Sequence, residues 1–224
     1  MLAAKPRLGS RGKPTETRAA ILSAAVREFA DHGMAGARTD AIADAAGVNK
    51  ALLYYYFKDK EKLYGAALDH VFSQLSARLL GVLGNDLSPS EKIRAYVGAH
   101  FDFIASHLHY RGLVQGEIAR SGHASPHMQR VAKRYFHPLF TGLAEVIRAG
   151  IAAGEFRAVD PLHFVPSMVA VVVFYFTSAP VMQAATGHDP LSPERLAEHR
   201  AAVLDFISTA LLRESSGQSE GARV

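Results

Sequence analysis

The segment Asn49-Lys50-Ala51-Leu52-Leu53-Tyr54-Tyr55-Tyr56-Phe57-Lys58-Asp59-Lys60 concentrates the chemistry of this chain, with an amide, three lysines and three consecutive phenols. An ammonium can donate to guanine O6 and N7 or to a phosphate, and a phenol joins an apolar ring to a hydroxyl tip. Material for catalysis is scarce. The 224 residues contain no cysteine, which removes thiolate nucleophiles, disulfides and every Cys-ligated zinc site. No HExxH, Walker or GxGxxG pattern occurs, so the chain does not read as an enzyme. His107 and His109 lie two apart and His123 and His127 four apart, but Ser125-Pro126 breaks the second pair and no carboxylate converges on either. No metal or cofactor is therefore expected, and His107 reads as a polar contact for a small molecule.

Charge points the same way as the lysines. The formal net charge is +4, with 11 basic against 7 acidic residues up to Tyr64 and 14 against 14 beyond it. All the excess sits in the first third, and residues 1–13 carry Lys5, Arg7, Arg11 and Lys13 with no acid. Such an arm suits a polyanion, for instance by dropping into a minor groove, or it is a solvated tail. The opening residues lack an apolar signal segment, which sets the cytoplasm as the expected compartment.

The elements that must position these groups are helices. Half of the residues are hydrophobic and strand signals are few. An apolar stripe of Ile21, Leu22, Ala25, Val26, Phe29 and Ala30 predicts a helix over 15–32 that Gly33 stops. Thr39 is placed to cap a short helix through Ala46, Gly47 ends it, and a third helix runs over 50–56. A long helix follows to Leu83. Further helices are predicted over 88–107, 110–121, 126–153, 161–185 and 193–212, with Pro138 kinking or dividing the seventh. This is an all-α chain of about nine helices. The stretch from Leu162 to His188 carries no Asp, Glu, Lys or Arg, yet Pro166 and Pro180 interrupt it, so a buried or subunit-facing helix is favoured over a membrane span.

Two short helices joined at a Gly-containing turn, with Ile42, Ala46, Val48 and Leu53 able to form their shared core and Ala43 small enough for close crossing, describe a helix-turn-helix. Its second helix is sized for a major groove. At this point the sequence resembles the TetR family of transcriptional regulators, over Thr15 to about Leu68. The resemblance rests on Phe29-Ala30-Asp31-His32-Gly33, Thr39, Ile42-Ala43, Ala46-Gly47-Val48, and above all Leu53-Tyr54-Tyr55-Tyr56-Phe57-Lys58-Asp59-Lys60-Glu61-Lys62-Leu63. Ala51 and Leu52 stand where many members have Gly and a small hydroxyl residue, and Tyr56 where His is frequent. The resemblance implies DNA contacts from Thr39, Asn49, Lys50, Ala51, Leu52, Tyr54, Tyr55, Tyr56, Lys58 and Lys60. Lys50 would face guanine, Ala51 and Leu52 a thymine methyl, and the tyrosines and the two later lysines phosphates. Asn49 and Thr39 also read as helix caps, and Tyr54 equally as core.

The resemblance divides the chain into a basic arm (1–14), a DNA-binding domain (15–66), a ligand-binding and dimerisation domain (67–213) and a tail (214–224). Phe72, Phe101, Ile104, His107, Phe136, Phe140 and Phe174 are the candidate lining of an effector pocket for a small apolar or aromatic molecule. Val172, Phe176, Val203, Leu204, Ile207 and Leu211 are the candidate homodimer interface. The expected function is a repressor that binds a palindromic double-stranded operator as a homodimer and is released by its effector. The competing reading is a helical small-molecule carrier or sensor whose basic end binds polyanions nonspecifically.

Overall fold

Proline and hydroxyl punctuation sets where most helices begin. A computed structural model describes residues 14–119 and 125–213. The basic arm with Lys5, Arg7, Arg11 and Lys13, the residue His123 and the tail from 214 lie outside the described residues. Eleven α-helices are described: α1 (Pro14–Gly36), α2 (Thr39–Ala45), α3 (Lys50–Phe57), α4 (Lys60–Leu83), α5 (Pro89–Ser106), α6 (Leu108–Ala119), α7 (Pro126–Val131), α8 (His137–Ala152), α9 (Pro161–Thr177), α10 (Ala179–Thr186) and α11 (Pro193–Leu211). Among the described residues the extended pairing is an isolated antiparallel bridge between Phe156 and Leu212, and the all-α architecture stands. Ser125, Asp160 and Ser192 each accept a backbone N–H of the first turn, with a proline just inside the helix whose missing N–H is not needed there.

The segment 126–153 is divided near Pro138, as that proline predicts, and 161–185, predicted as one helix, is divided as well. Pro138 has no N–H, and its ring would strike the carbonyl one turn earlier. The chain accommodates it with a π-helical segment, Ala132–Phe136, between α7 and α8, in which the His137 N–H donates to the Ala132 carbonyl. The apolar stretch breaks at Ser178, so that α9 and α10 meet at a 61° bend. No single helix among the described residues is long and apolar enough to cross a membrane.

The helices form two compact units. The first holds the described residues up to Ala77 together with Phe103–Pro138, and the second holds Arg78–Asp102 and the residues from Leu139 onward. In the first, Ile21, Phe29, Ile42, Leu53, Leu63, Tyr64, Leu68, Phe72 and Leu113 are all but inaccessible. There α6 lies directly on α1: a Cβ at Gly112 would stand 2.3 Å from the Ala30 carbonyl oxygen. The buried Glu117 carboxylate accepts from the Tyr64 hydroxyl at 2.6 Å and the Ser125 hydroxyl at 2.5 Å, tying α4, α6 and the start of α7 together.

In the second unit the Arg200 guanidinium of α11 grips Asp102 of α5 through two bonds of 2.8 and 3.0 Å while lying across Gly98. His100 is buried there with neither ring nitrogen bonded, and Tyr96 lies against it. Burial holds its pKa down at about 4, below the 6.5 of an exposed histidine. The unfolded chain therefore binds the proton first as pH falls, so stability is full above pH 6.5 and is lost towards pH 4. Urea unfolding at pH 7.5 and 4.5 checks this: His100→Phe is expected to remove about 2–3 kcal/mol of the acid-dependent loss.

Candidate nucleic-acid interface

The turn between α2 and α3 is built from Gly47, whose φ of 69° only glycine adopts without strain. Its neighbours close the turn, Val48 N–H donating to the Ala43 carbonyl at 2.9 Å and Gly47 N–H to that of Asp44 at 3.1 Å. Ile42, Ala43, Ala46, Val48, Leu53 and Phe57 are buried beneath it, and the Arg18 guanidinium sits 5.2 Å above the Phe57 ring. The Asn49 carboxamide accepts the Leu52 N–H at 2.8 Å and so caps α3. Thr39 does not cap α2. The capping position is Arg38, whose N–H is taken by the Glu28 carboxylate at 2.9 Å, and Thr39 is the first helical residue. Its buried hydroxyl stands 3.2 Å from that of Tyr54, which joins the opening of α2 to the middle of α3.

What α3 leaves outward is the candidate surface. Lys50 and Ala51 are exposed, Leu52, Tyr54 and Tyr56 half-buried, and Tyr55 is 78% exposed with its ring edge-on to Tyr56. The Lys50 ammonium is 2.9 Å from the Asp40 carboxylate, a partner not singled out by the sequence pattern because it sits on the other helix. Lys60 donates to the Ala35 carbonyl at 3.1 Å, and its ammonium has further donors to offer. Lys58 has φ 61° and ψ −53°, and the Asp59 N–H closes back on the Phe57 carbonyl across it. This is a strained γ-turn for a residue with a Cβ, and it aims the step from α3 into α4. Thr39, Asn49, Lys50, Ala51, Leu52, Tyr54, Tyr55, Tyr56, Lys58 and Lys60 thus all lie on or beside one helix-turn-helix.

Comparison with known proteins decides the family. The profile of bacterial regulatory proteins of the tetR family matches residues 21–67, and that of the tetracyclin repressor-like C-terminal domain matches residues 89–207. The chain belongs to the TetR family. It is a helix-turn-helix transcriptional regulator. The transcriptional repressor NicS of Pseudomonas putida is 29% identical over 72% of this chain and 76% of its own. The repressor SCO4008 of Streptomyces coelicolor is 31% identical over 71% of this chain and 81% of its own. Among solved structures, the TetR-family regulator PfmR of Thermus thermophilus superposes with a TM-score of 0.68 at 22% identity, covering 86% of this chain and 99% of that one. That likeness is one of fold.

The residues expected to serve effector and dimer are scattered differently. Phe72 and Phe136 meet edge-on with ring centroids 5.2 Å apart in the first unit, where Ile104 is buried too. His107 stacks on Phe103 at 4.0 Å and bonds the Phe103 carbonyl at 2.8 Å through Nδ1. Phe101 is in the second unit, against Phe176 and His199, and Phe140 is half-buried there. Phe174 points outward, 68% exposed. Val172, Phe176, Val203, Ile207 and Leu211 are buried inside their own unit, and Leu204 is half-buried. A side chain already enclosed by its own chain has little area left for a second copy. Among the described residues of this TetR-family chain, the large apolar groups that α9, α10 and α11 expose are instead Leu162, Phe174, Val181 and Phe206.

Proposed function

We propose that this chain is a repressor that binds a palindromic operator as a homodimer, in the cytoplasm, and lets go when a small apolar or aromatic molecule binds. The observation that carries the reading is the α3 surface, where Lys50, Ala51 and Tyr55 are presented outward by a helix capped at Asn49 and anchored by Leu53 and Phe57. A helix so held inserts its N-terminal residues into a major groove, with Lys50 at a guanine edge, Ala51 and Leu52 near a thymine methyl, and the tyrosine and lysine rim on phosphates. One short helix reads few base pairs, so a two-fold pair of half-sites restores specificity. The repressor direction is supported by NicS and SCO4008, both named as repressors. The effector is assigned to the aromatic cluster of the first unit, with Phe72, Ile104 and Phe136 as apolar wall and His107 as its polar end. The dimer is assigned to the outward faces of α9 and α11. Residues 15–66 then act as the DNA-binding domain and 67–213 as the domain that senses and dimerises. A carrier has no use for the outward α3 surface and is not favoured.

Selection from random duplexes followed by footprinting tests this reading. Recovery of a two-fold symmetric site bound about 10³-fold or more above competitor DNA is the expected result. If selection returns no preferred sequence, the regulator's site-specific role fails and the carrier reading replaces it.

A further inference from the structure

Asp40 and Lys50 are the charged pair of the helix-turn-helix, joined at 2.9 Å with both side chains about half exposed. Asp40 lies in the first turn of α2 and Lys50 opens α3, so their bond spans the two helices rather than one helical face. The carboxylate holds the ammonium above lysine's ordinary titration range, through the hydrogen bond first and the charge second. Arg38 and Tyr54 lie near enough to bear on the charge of Lys50, and the Tyr54 hydroxyl is 3.2 Å from that of Thr39.

An exposed lysine ordinarily sweeps many rotamers, and near DNA the strongest attraction it meets is a phosphate. A phosphate contact carries no sequence information. An ammonium has three donors, however, and a carboxylate that takes one leaves two, the number that guanine O6 and N7 accept. The same carboxylate repels a phosphate that approaches the ammonium. We propose that Asp40 is a positioning residue for sequence recognition: it retains one proton donor of Lys50, aims the other two at a guanine edge, and withholds the ammonium from the phosphates. The inference rests on the reading of Lys50 as a base contact.

The test compares wild type, Asp40→Asn, Asp40→Glu, Lys50→Met and the double variant Asp40→Asn/Lys50→Met. Each is titrated on the selected operator and on a scrambled duplex over a range of salt. Both positions are on the surface, and Asp40→Asn keeps the shape of the side chain. Asp40→Asn is expected to tighten binding to the scrambled duplex about tenfold near 0.1 M salt and to steepen its salt dependence by about two per dimer. Operator binding should gain less, so the ratio of the two affinities falls, and reselection should relax the preference at the base that Lys50 contacts. Asp40→Glu should keep the wild-type ratio. In the Lys50→Met background the effect of Asp40→Asn on the ratio of the two affinities and on the selected sequence should vanish, because the carboxylate acts on recognition through the ammonium. Equal gains on both duplexes with an unchanged selected sequence would reduce Asp40 to a repulsive charge and overturn the proposal. A wild type with a clear operator whose Lys50→Met variant selects the same sequence would instead overturn the base contact itself.

Discussion

Gly112→Ala is expected to destabilise the first unit by about 1–3 kcal/mol and to abolish operator binding at concentrations where the wild type is saturated. The added methyl would lie 2.3 Å from the Ala30 carbonyl oxygen, 2.8 Å from its carbon and 3.0 Å from its Cα. All three are backbone atoms, so no rotamer change relieves the clash, and α6 must move away from α1. Helix α1 carries Ile21, Leu22, Ala25 and Phe29 into the core on which α2 and α3 rest. A shift of α1 therefore reaches the Arg38 and Thr39 end of α2 and the orientation of Lys50. Gly116, on the same helix, has nothing within 4 Å of the position its Cβ would take. Gly116→Ala removes a helix-interior glycine and is expected to be neutral or stabilising by up to about 1 kcal/mol. Urea unfolding and operator titration of the two variants side by side make the comparison. Equal behaviour would show that the α1–α6 approach does not support the DNA-binding elements.

That approach was not legible in the sequence, where Gly112 is one of 18 glycines and only the packing of α6 on α1 distinguishes it. The helix-turn-helix was legible because its determinants are local: Gly47 sets the turn, Asn49 caps α3, and Ile42, Val48 and Leu53 come from α2, the turn and α3 into one small core. Its polar bonds were less so. Thr39 has the chemistry of a cap, but its hydroxyl turns towards Tyr54, and Asp40 meets Lys50 only once α2 and α3 cross. Pro138 announced a disruption, while the π-helical form it takes depends on where the Ala132 carbonyl can find a donor. Between Val169 and Phe176 every residue is apolar, so the pattern has no phase and cannot tell an inward side from an outward one. The placements of Phe174 and Phe176 follow from packing alone.

Phe174 supplies the second large effect. At 68% exposed it lends little to the stability of a single chain, as does Phe206 at 59%, whereas Val172 on the opposite side of α9 is enclosed. If the outward faces of α9 and α11 meet across a two-fold axis, each phenyl is buried twice per dimer. At about 2 kcal/mol per buried ring, Phe174→Asp is then expected to raise the dimer dissociation constant by about 10³-fold, and more once the repulsion of two facing carboxylates is added. Sedimentation should find a folded monomer with wild-type helicity, and operator affinity should fall with the loss of the second half-site. Val172→Asp has a different signature, since a charge forced into the interior of the unit unfolds it instead of separating two copies. Phe206→Asp should resemble Phe174→Asp in kind. A Phe174→Asp protein that remains a dimer at micromolar concentration would exclude this face, and the symmetric operator would then need another surface to bring two α3 helices into register.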